Sequence, residues 1–175
     1  GFFNIPVDPI SAIPVLCSHL RNYNLENSII VSPDVGRTSL AGKYAENLGL
    51  PLAVIQKRRE SFTETRTIQI IGDISGKRPI VIDDMIASGS IISQVNDLYD
   101  HGAIGKTWLS ITHPILLPRA IESIMNDDRI EKVIVTNTLP LPKPALKCNK
   151  FEQISIAPLL SEIIKRMHQD ESISN

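Results

Sequence analysis

The chain has 175 residues, of which 42% are hydrophobic and 21% charged, a balance that suits one ordinary globular domain and excludes a disordered or fibrous chain. Its formal net charge of −1 provides no global field for nucleic acid or an anionic membrane, so any anion site must be local. No apolar run reaches the length of a membrane-spanning helix, and Gly1-Phe2-Phe3-Asn4 lacks the charged start and apolar stretch of a signal peptide. Two cysteines, Cys17 and Cys148, are too few for a disulfide framework; they read as buried free thiols in a reducing, cytoplasmic compartment.

Along the chain, short β-branched runs alternate with helical patterns. Ser28 to Val31 reads as a strand. Leu40, Ala41, Tyr44, Ala45 and Leu48 then recur at helical spacing, which predicts a helix over Thr38 to Leu48 closed by Gly49. A second strand follows at Leu52 to Ile55, and Glu60 to Gln69 is polar and weakly patterned, as in a mobile hairpin or flap between strands. Ile80 to Ile82 predicts a strand, Ser88 to Tyr99 a helix, Trp108 to Ile111 another strand, and Pro118 to Met125 a short helix with proline in its first turn.

Lys132 to Val135 completes the set of strands. Leu139-Pro140-Leu141-Pro142-Lys143-Pro144 is expected to be a surface connection, neither helix nor central strand, because each proline lacks a backbone donor. Pro158 to Met167 predicts a last amphipathic helix before a frayed polar tail, Gln169 to Asn175. Strands apolar on both faces, alternating with helices, imply an α/β fold with a mostly parallel sheet flanked by helices. Without a repeat or an interior linker, residues 1–175 are expected to form a single domain.

In such sheets ligands bind beyond the carboxyl ends of the strands. Pro79 to Ile82 leads into Asp83-Asp84 and then Met85-Ile86-Ala87-Ser88-Gly89-Ser90, a small-residue turn feeding a helix. Backbone N–H groups of such a turn converge on a phosphate, and the helix dipole adds partial positive charge. Paired acids suit vicinal sugar hydroxyls or a divalent metal. The same residues also read as a plain strand end with Ser88 capping a helix, and spacing alone leaves both readings open. Asp34 read alone is a turn residue and Lys57-Arg58-Arg59 a solvated strand end. His113 is a packed or hydrogen-bonded strand end, Trp108 core, and His19, His101 and His168 surface or helix-end residues.

Four apolar residues, two acids and a Ser-Gly turn resemble the signature loop of type I phosphoribosyltransferases and of the ribose-phosphate pyrophosphokinases that share their fold. The resemblance to the pyrophosphokinases extends through Gly1-Phe2-Phe3, Val31 to Gly36, Lys57-Arg58-Arg59, Thr112-His113-Pro114, Val135 to Thr138 and Ile156 to Leu160. It implies pyrophosphate transfer from ATP to ribose 5-phosphate, giving 5-phosphoribosyl 1-pyrophosphate and AMP. It assigns Asp34 to Mg2+, Lys57 and Arg59 to catalysis, and Asp83, Asp84, Ala87, Ser88, Gly89 and Ser90, with Arg59, to ribose 5-phosphate. It also implies a flexible flap, assembly of homo-oligomers through dimers, and a two-domain synthetase of which this chain is the C-terminal half. No nucleic-acid or membrane partner is expected.

Two departures from the family pattern stand out. The phosphate turn is one small residue short, so Ile91 follows Ser90 directly, and Arg37 occupies a position that is often Gly, adding charge or obstructing. They leave room for a noncatalytic regulatory or assembly homologue, and the shared loop for a nucleobase phosphoribosyltransferase. The isolated chain is expected to bind sugar phosphate weakly and not to turn over.

Overall fold

The computed structural model describes residues 4–5, 7–59 and 66–172. Seven strands, β1 (Ser28–Ser32), β2 (Leu52–Arg59), β3 (Arg66–Ile71), β4 (Arg78–Ile86), β5 (Thr107–Pro114), β6 (Ile130–Thr136) and β7 (Phe151–Ile154), form one sheet in the order β3-β2-β1-β4-β5-β6-β7. All pairings are parallel except β2 with β3, which run antiparallel from Val54↔Ile71 to Arg59↔Arg66. The expected hairpin is therefore present, with β3 taking in Arg66 to Gln69; Glu60 to Glu64 and Thr65, the tip of the expected flap, lie outside the described residues, as does Gly1-Phe2-Phe3.

Side-chain alternation along the central strands divides the core into two layers. Val31, Val81, Leu109, Ile111 and Val135 face α3 (Ser90–Asp100) and α4 (Pro118–Asn126), whose Ile91, Val95, Leu98, Ile121 and Ile124 pack against them. Ile30, Ile80, Ile82 and Ile134 face α1 (Ile13–Leu20) and α2 (Thr38–Leu48) through Leu16, Leu20, Ala41 and Tyr44. Burying one such aliphatic side chain contributes about 1.5–3 kcal/mol, so both faces must be covered, as the wholly buried β1 requires.

Local signals set the ends of the elements. Gly49 ends α2 in the left-handed conformation at φ 65°, and Pro118 opens α4, where its missing N–H costs nothing. The Leu139 to Pro144 segment departs from expectation. Pro144 is tolerated in the first turn of a four-residue helix, α5 (Lys143–Leu146), and Leu141 and Ala145 are buried, so part of this connection belongs to the core. The last helix, α6 (Ala157–His168), buries no residue completely. None of the described helices is long and apolar enough to cross a membrane.

The strand order reverses direction at one place. From β1 the chain moves outward to β2, whereas from β4 it moves the other way to β5 and β6. The crevice between the carboxyl ends of β1 and β4 is thus the topological switch point, where ligands of open α/β sheets bind.

Candidate active site at the β1 and β4 ends

β1 and β4 run in register through Ile30↔Ile80 and Val31↔Val81. β4 continues past that pairing to Ile86, while the chain leaves β1 at Pro33 and turns over the crevice. Asp34 caps this turn: its Oδ1 accepts the Arg37 backbone N–H at 3.0 Å, and its own carbonyl accepts from Ser32 Oγ at 2.7 Å. The turn delivers Arg37 to the acids of β4. Its Nε lies 3.3 Å from Asp83 Oδ1 and its Nη2 2.8 Å from Asp84 Oδ1.

Asp83 and Asp84 are only partly open to solvent, with side chains 23% and 32% exposed. Burial, together with a hydrogen bond to the Asp84 carboxyl, pushes the Asp83 carboxyl up to about 6; the Asp84 N–H and Arg37 pull the other way. Beyond the acids the chain turns through Ala87, Ser88 and Gly89 into α3, whose first turn receives no side-chain cap. Its leading N–H groups are open to an anion. Ser88 donates to Ser90 between their hydroxyls at 3.2 Å. With Asp83, Ile91 and Gln94, the two serines line a cavity of about 200 Å³.

The turn is supported from behind. Leu116 and Leu117 donate their backbone N–H groups to the carbonyls of Ile86 and Ala87 at 2.9 and 3.0 Å. Leu116 does so at φ 46°, a conformation that costs a non-glycine residue about 1 kcal/mol and is held by a side chain only 2% exposed. A Cβ at Gly89 would stand 3.2 Å from Ser123 Oγ of α4, so glycine lets the turn lie close on that helix.

The fold thus brings Asp34, Asp83, Asp84, Ala87, Ser88, Gly89 and Ser90 to one crevice. Lys57 sits at the far end of β2, paired across to Ile68 of β3, and meets no acid among the described residues. Arg59 closes β2, its backbone paired across to Arg66, and its side chain lies outside the described residues. His113 is a hydrogen-bonded strand end, its Nδ1 2.9 Å from Thr138 Oγ1. Trp108 is core at 3% exposure, with its indole N–H donated to Glu131. Cys17 is a buried free thiol and Cys148 a partly buried one. The helix α3 begins at Ser90, two residues later than its expected start, leaving Ser88 in the turn. Sequence reasoning does not find Gln94, whose only signal is its position one turn into the helix after the loop.

A mostly parallel sheet with helices on both faces and an acid-pair loop at its switch point defines a domain of the type I phosphoribosyltransferase class. Residues 59–175 match the model of the phosphoribosyl synthetase-associated domain, and residues 15–99 that of the phosphoribosyl transferase domain. The chain belongs to the phosphoribosyl synthetase-associated domain family.

Among curated proteins it is 40% identical over 175 residues to the ribose-phosphate pyrophosphokinase of Bacillus subtilis, covering 99% of this chain and 54% of that one. It is 42% identical over 177 residues to the enzyme of the same name from Aquifex aeolicus, covering 100% and 56%. Among solved structures, phosphoribosylpyrophosphate synthetase from Mycobacterium smegmatis matches with a TM-score of 0.84 at 35% identity, over 97% of this chain and 54% of that one. APRTase from Giardia lamblia, at 12% identity and a TM-score of 0.52 over 82% of this chain and 78% of its own, shares the fold. The chain spans about half the length of the curated relatives it matches.

Proposed function

We propose that the chain is the sugar-phosphate half of a ribose-phosphate pyrophosphokinase, in which ATP and ribose 5-phosphate give 5-phosphoribosyl 1-pyrophosphate and AMP. The observation that carries this reading is the meeting, at the switch point, of Asp83 and Asp84 with the uncapped first turn of α3. The N–H groups and hydroxyls of the Ser88 to Ser90 turn receive the 5-phosphate. Asp83 and Asp84 accept hydrogen bonds from the ribose hydroxyls and orient the 1-hydroxyl toward the β-phosphate of ATP.

Lys57 and Arg59 come over the bound substrates from the β2–β3 hairpin, where two cations offset charge developing on the nonbridging oxygens of the transferred group. Closing the hairpin over the site excludes water from the transfer.

The donor set fits Mg2+ held mainly by substrate phosphates and water. Asp34 is exposed and spends one oxygen on the Arg37 N–H, and no cluster of three or more metal-ligating side chains exists among the described residues. Mg2+ commonly takes one or two protein carboxylates and keeps the rest of its shell from water and phosphate oxygens. When bound, it supplies charge neutralisation to the pyrophosphoryl group. Homo-oligomeric assembly through dimers and a cytoplasmic location belong to the same reading.

The shortened turn favours a second reading, a noncatalytic homologue that retains the fold. Calorimetric titration with ribose 5-phosphate and Mg2+ separates the two: binding at millimolar ligand or tighter is expected, and no heat at millimolar concentration overturns the first. AMP release from ATP and ribose 5-phosphate by a protein joining this chain to an ATP-binding half then tests the reaction itself.

A further inference from the structure

Arg37 ties the two halves of the crevice together. Its backbone is anchored on Asp34 at 3.0 Å, while its guanidinium lies across Asp83 and Asp84 at 3.3 and 2.8 Å. The oxygens it approaches belong to the carboxylates to which the proposed function gives the ribose hydroxyls. A sugar diol and this side chain compete for the same space and, at Asp84 Oδ1, for the same acceptor.

Three features describe how the contact is held. Asp84 Oδ1 is shielded from solvent and has no aligned hydrogen-bond donor among the described residues, despite the nearby Nη2. The ion pair therefore leaves an acceptor that a well-directed hydroxyl satisfies better. The Arg37 side chain is 39% exposed, and ion pairs this open to water contribute little, so displacing the guanidinium is cheap for a ligand. The backbone at Arg37, φ −97° and ψ 3°, is accessible to any residue, so the turn itself has no need of arginine.

We propose that Arg37 is a latch on the hydroxyl subsite: it neutralises Asp83 and Asp84 in the ligand-free protein, and the sugar must displace it in order to bind. The inference rests on the ribose-phosphate reading of the site. A ligand that uses only the Ser88 to Ser90 turn meets no latch. Apparent affinity for the sugar is lowered by the fraction of molecules that are latched, whereas affinity for bare phosphate is not.

The test compares two ligands, ribose 5-phosphate and inorganic phosphate, titrated calorimetrically at pH 8 into the unaltered chain, Arg37→Ala and Arg37→Lys. Opening the latch in Arg37→Ala is expected to tighten ribose 5-phosphate roughly fivefold, the reach of a solvated ion pair, and to leave inorganic phosphate within about twofold. Arg37→Lys keeps the charge without the planar fork that spans both acids, and is expected to fall between.

Equal changes for the two ligands indicate a long-range field and overturn the latch. Weakened sugar binding alone makes Arg37 a direct sugar ligand and also overturns it, as does no change. If the unaltered chain binds inorganic phosphate but not ribose 5-phosphate in any variant, the ribose-phosphate reading fails and the latch with it. Far-UV circular dichroism checks each fold, and Arg37→Gln, which removes the charge at similar length, replaces a variant that does not fold.

Discussion

Asp83 Oδ1 accepts the backbone N–H of Asp84 at 2.8 Å. The first acid of the pair is folded back onto the chain and its second oxygen is left for other partners. Burial and the Asp84 carboxyl push its ionisation up to about 6, with Arg37 opposing. In the folded protein Asp83 therefore holds its proton over a window, from about 4 to about 6, in which the unfolded chain has lost it. Stability from this group falls as pH rises through that window, while the capacity to accept sugar hydroxyls grows. Affinity for ribose 5-phosphate is expected to rise between pH 5 and 7 more steeply in the unaltered chain than in Asp83→Asn, where only the ligand's own second ionisation near pH ~6 remains. Equal slopes in calorimetry would contradict it.

Gln94 supplies an uncharged amide to the cavity lined by Ser88 and Ser90. Gln94→Ala is expected to weaken ribose 5-phosphate about threefold, the effect of one neutral hydrogen bond, with thermal stability little changed. Unaltered affinity would remove Gln94 from the site.

Gly72, just after β3, has φ 107°, and a Cβ there would lie 2.6 Å from the Leu52 carbonyl and 3.0 Å from Ala53 Cα. The obstacle is the backbone of β2, which cannot turn away. Gly72→Ala is expected to cost about 3 kcal/mol in urea unfolding. A loss under about 1 kcal/mol would show that the hairpin is looser than this geometry requires.

Glu152 on β7 joins the amino-terminal ends of the strands to α1, accepting from Tyr23 and Lys132 at 2.5 Å and contacting His19 Nε2 at 3.0 Å. Burial alone would raise its carboxyl, but hydrogen bonds from Lys132, Tyr23 and His19 outweigh that and hold it at about 2. Its contribution is complete above about 4.5 and is lost as pH falls toward 2. Glu152→Ala is expected to cost about 2 kcal/mol at pH 7 and progressively less below pH 4. Urea midpoints at several pH values check this, and a constant difference down to pH ~2 would contradict it.

The parts of the fold legible in the sequence are those whose local pattern and tertiary role agree. The helix Thr38–Leu48 follows from its apolar spacing and from Gly49, and β1 and β4 follow from the unbroken apolar runs Ile29 to Val31 and Pro79 to Ile82, buried on both faces. Elsewhere tertiary context decides. Ile13, Leu16, Cys17 and Leu20 do recur at helical spacing, but Val15 and the apolar, proline-rich stretch before them blur the stripe until the sheet buries it as α1. β7 is a half-buried edge of four residues, too short to declare itself against the noise of a loop. α5 forms among prolines because Ala145 is drawn into the core.

At the site, the acids and the phosphate turn are readable because their residue types and spacing are local. The Arg37 bridge is not: 46 residues separate it from Asp83, and only the parallel pairing of β1 with β4 brings the two together.

The central claim, that the Asp83 to Ser90 loop holds a ribose phosphate, is tested most directly by following backbone amides in a 1H–15N correlation spectrum during titration with ribose 5-phosphate. The account predicts saturable shifts at Asp84 and through Ser88 to Ile91, with inorganic phosphate moving only the second group. Shifts confined to other strand ends, or none at millimolar ligand, would contradict it.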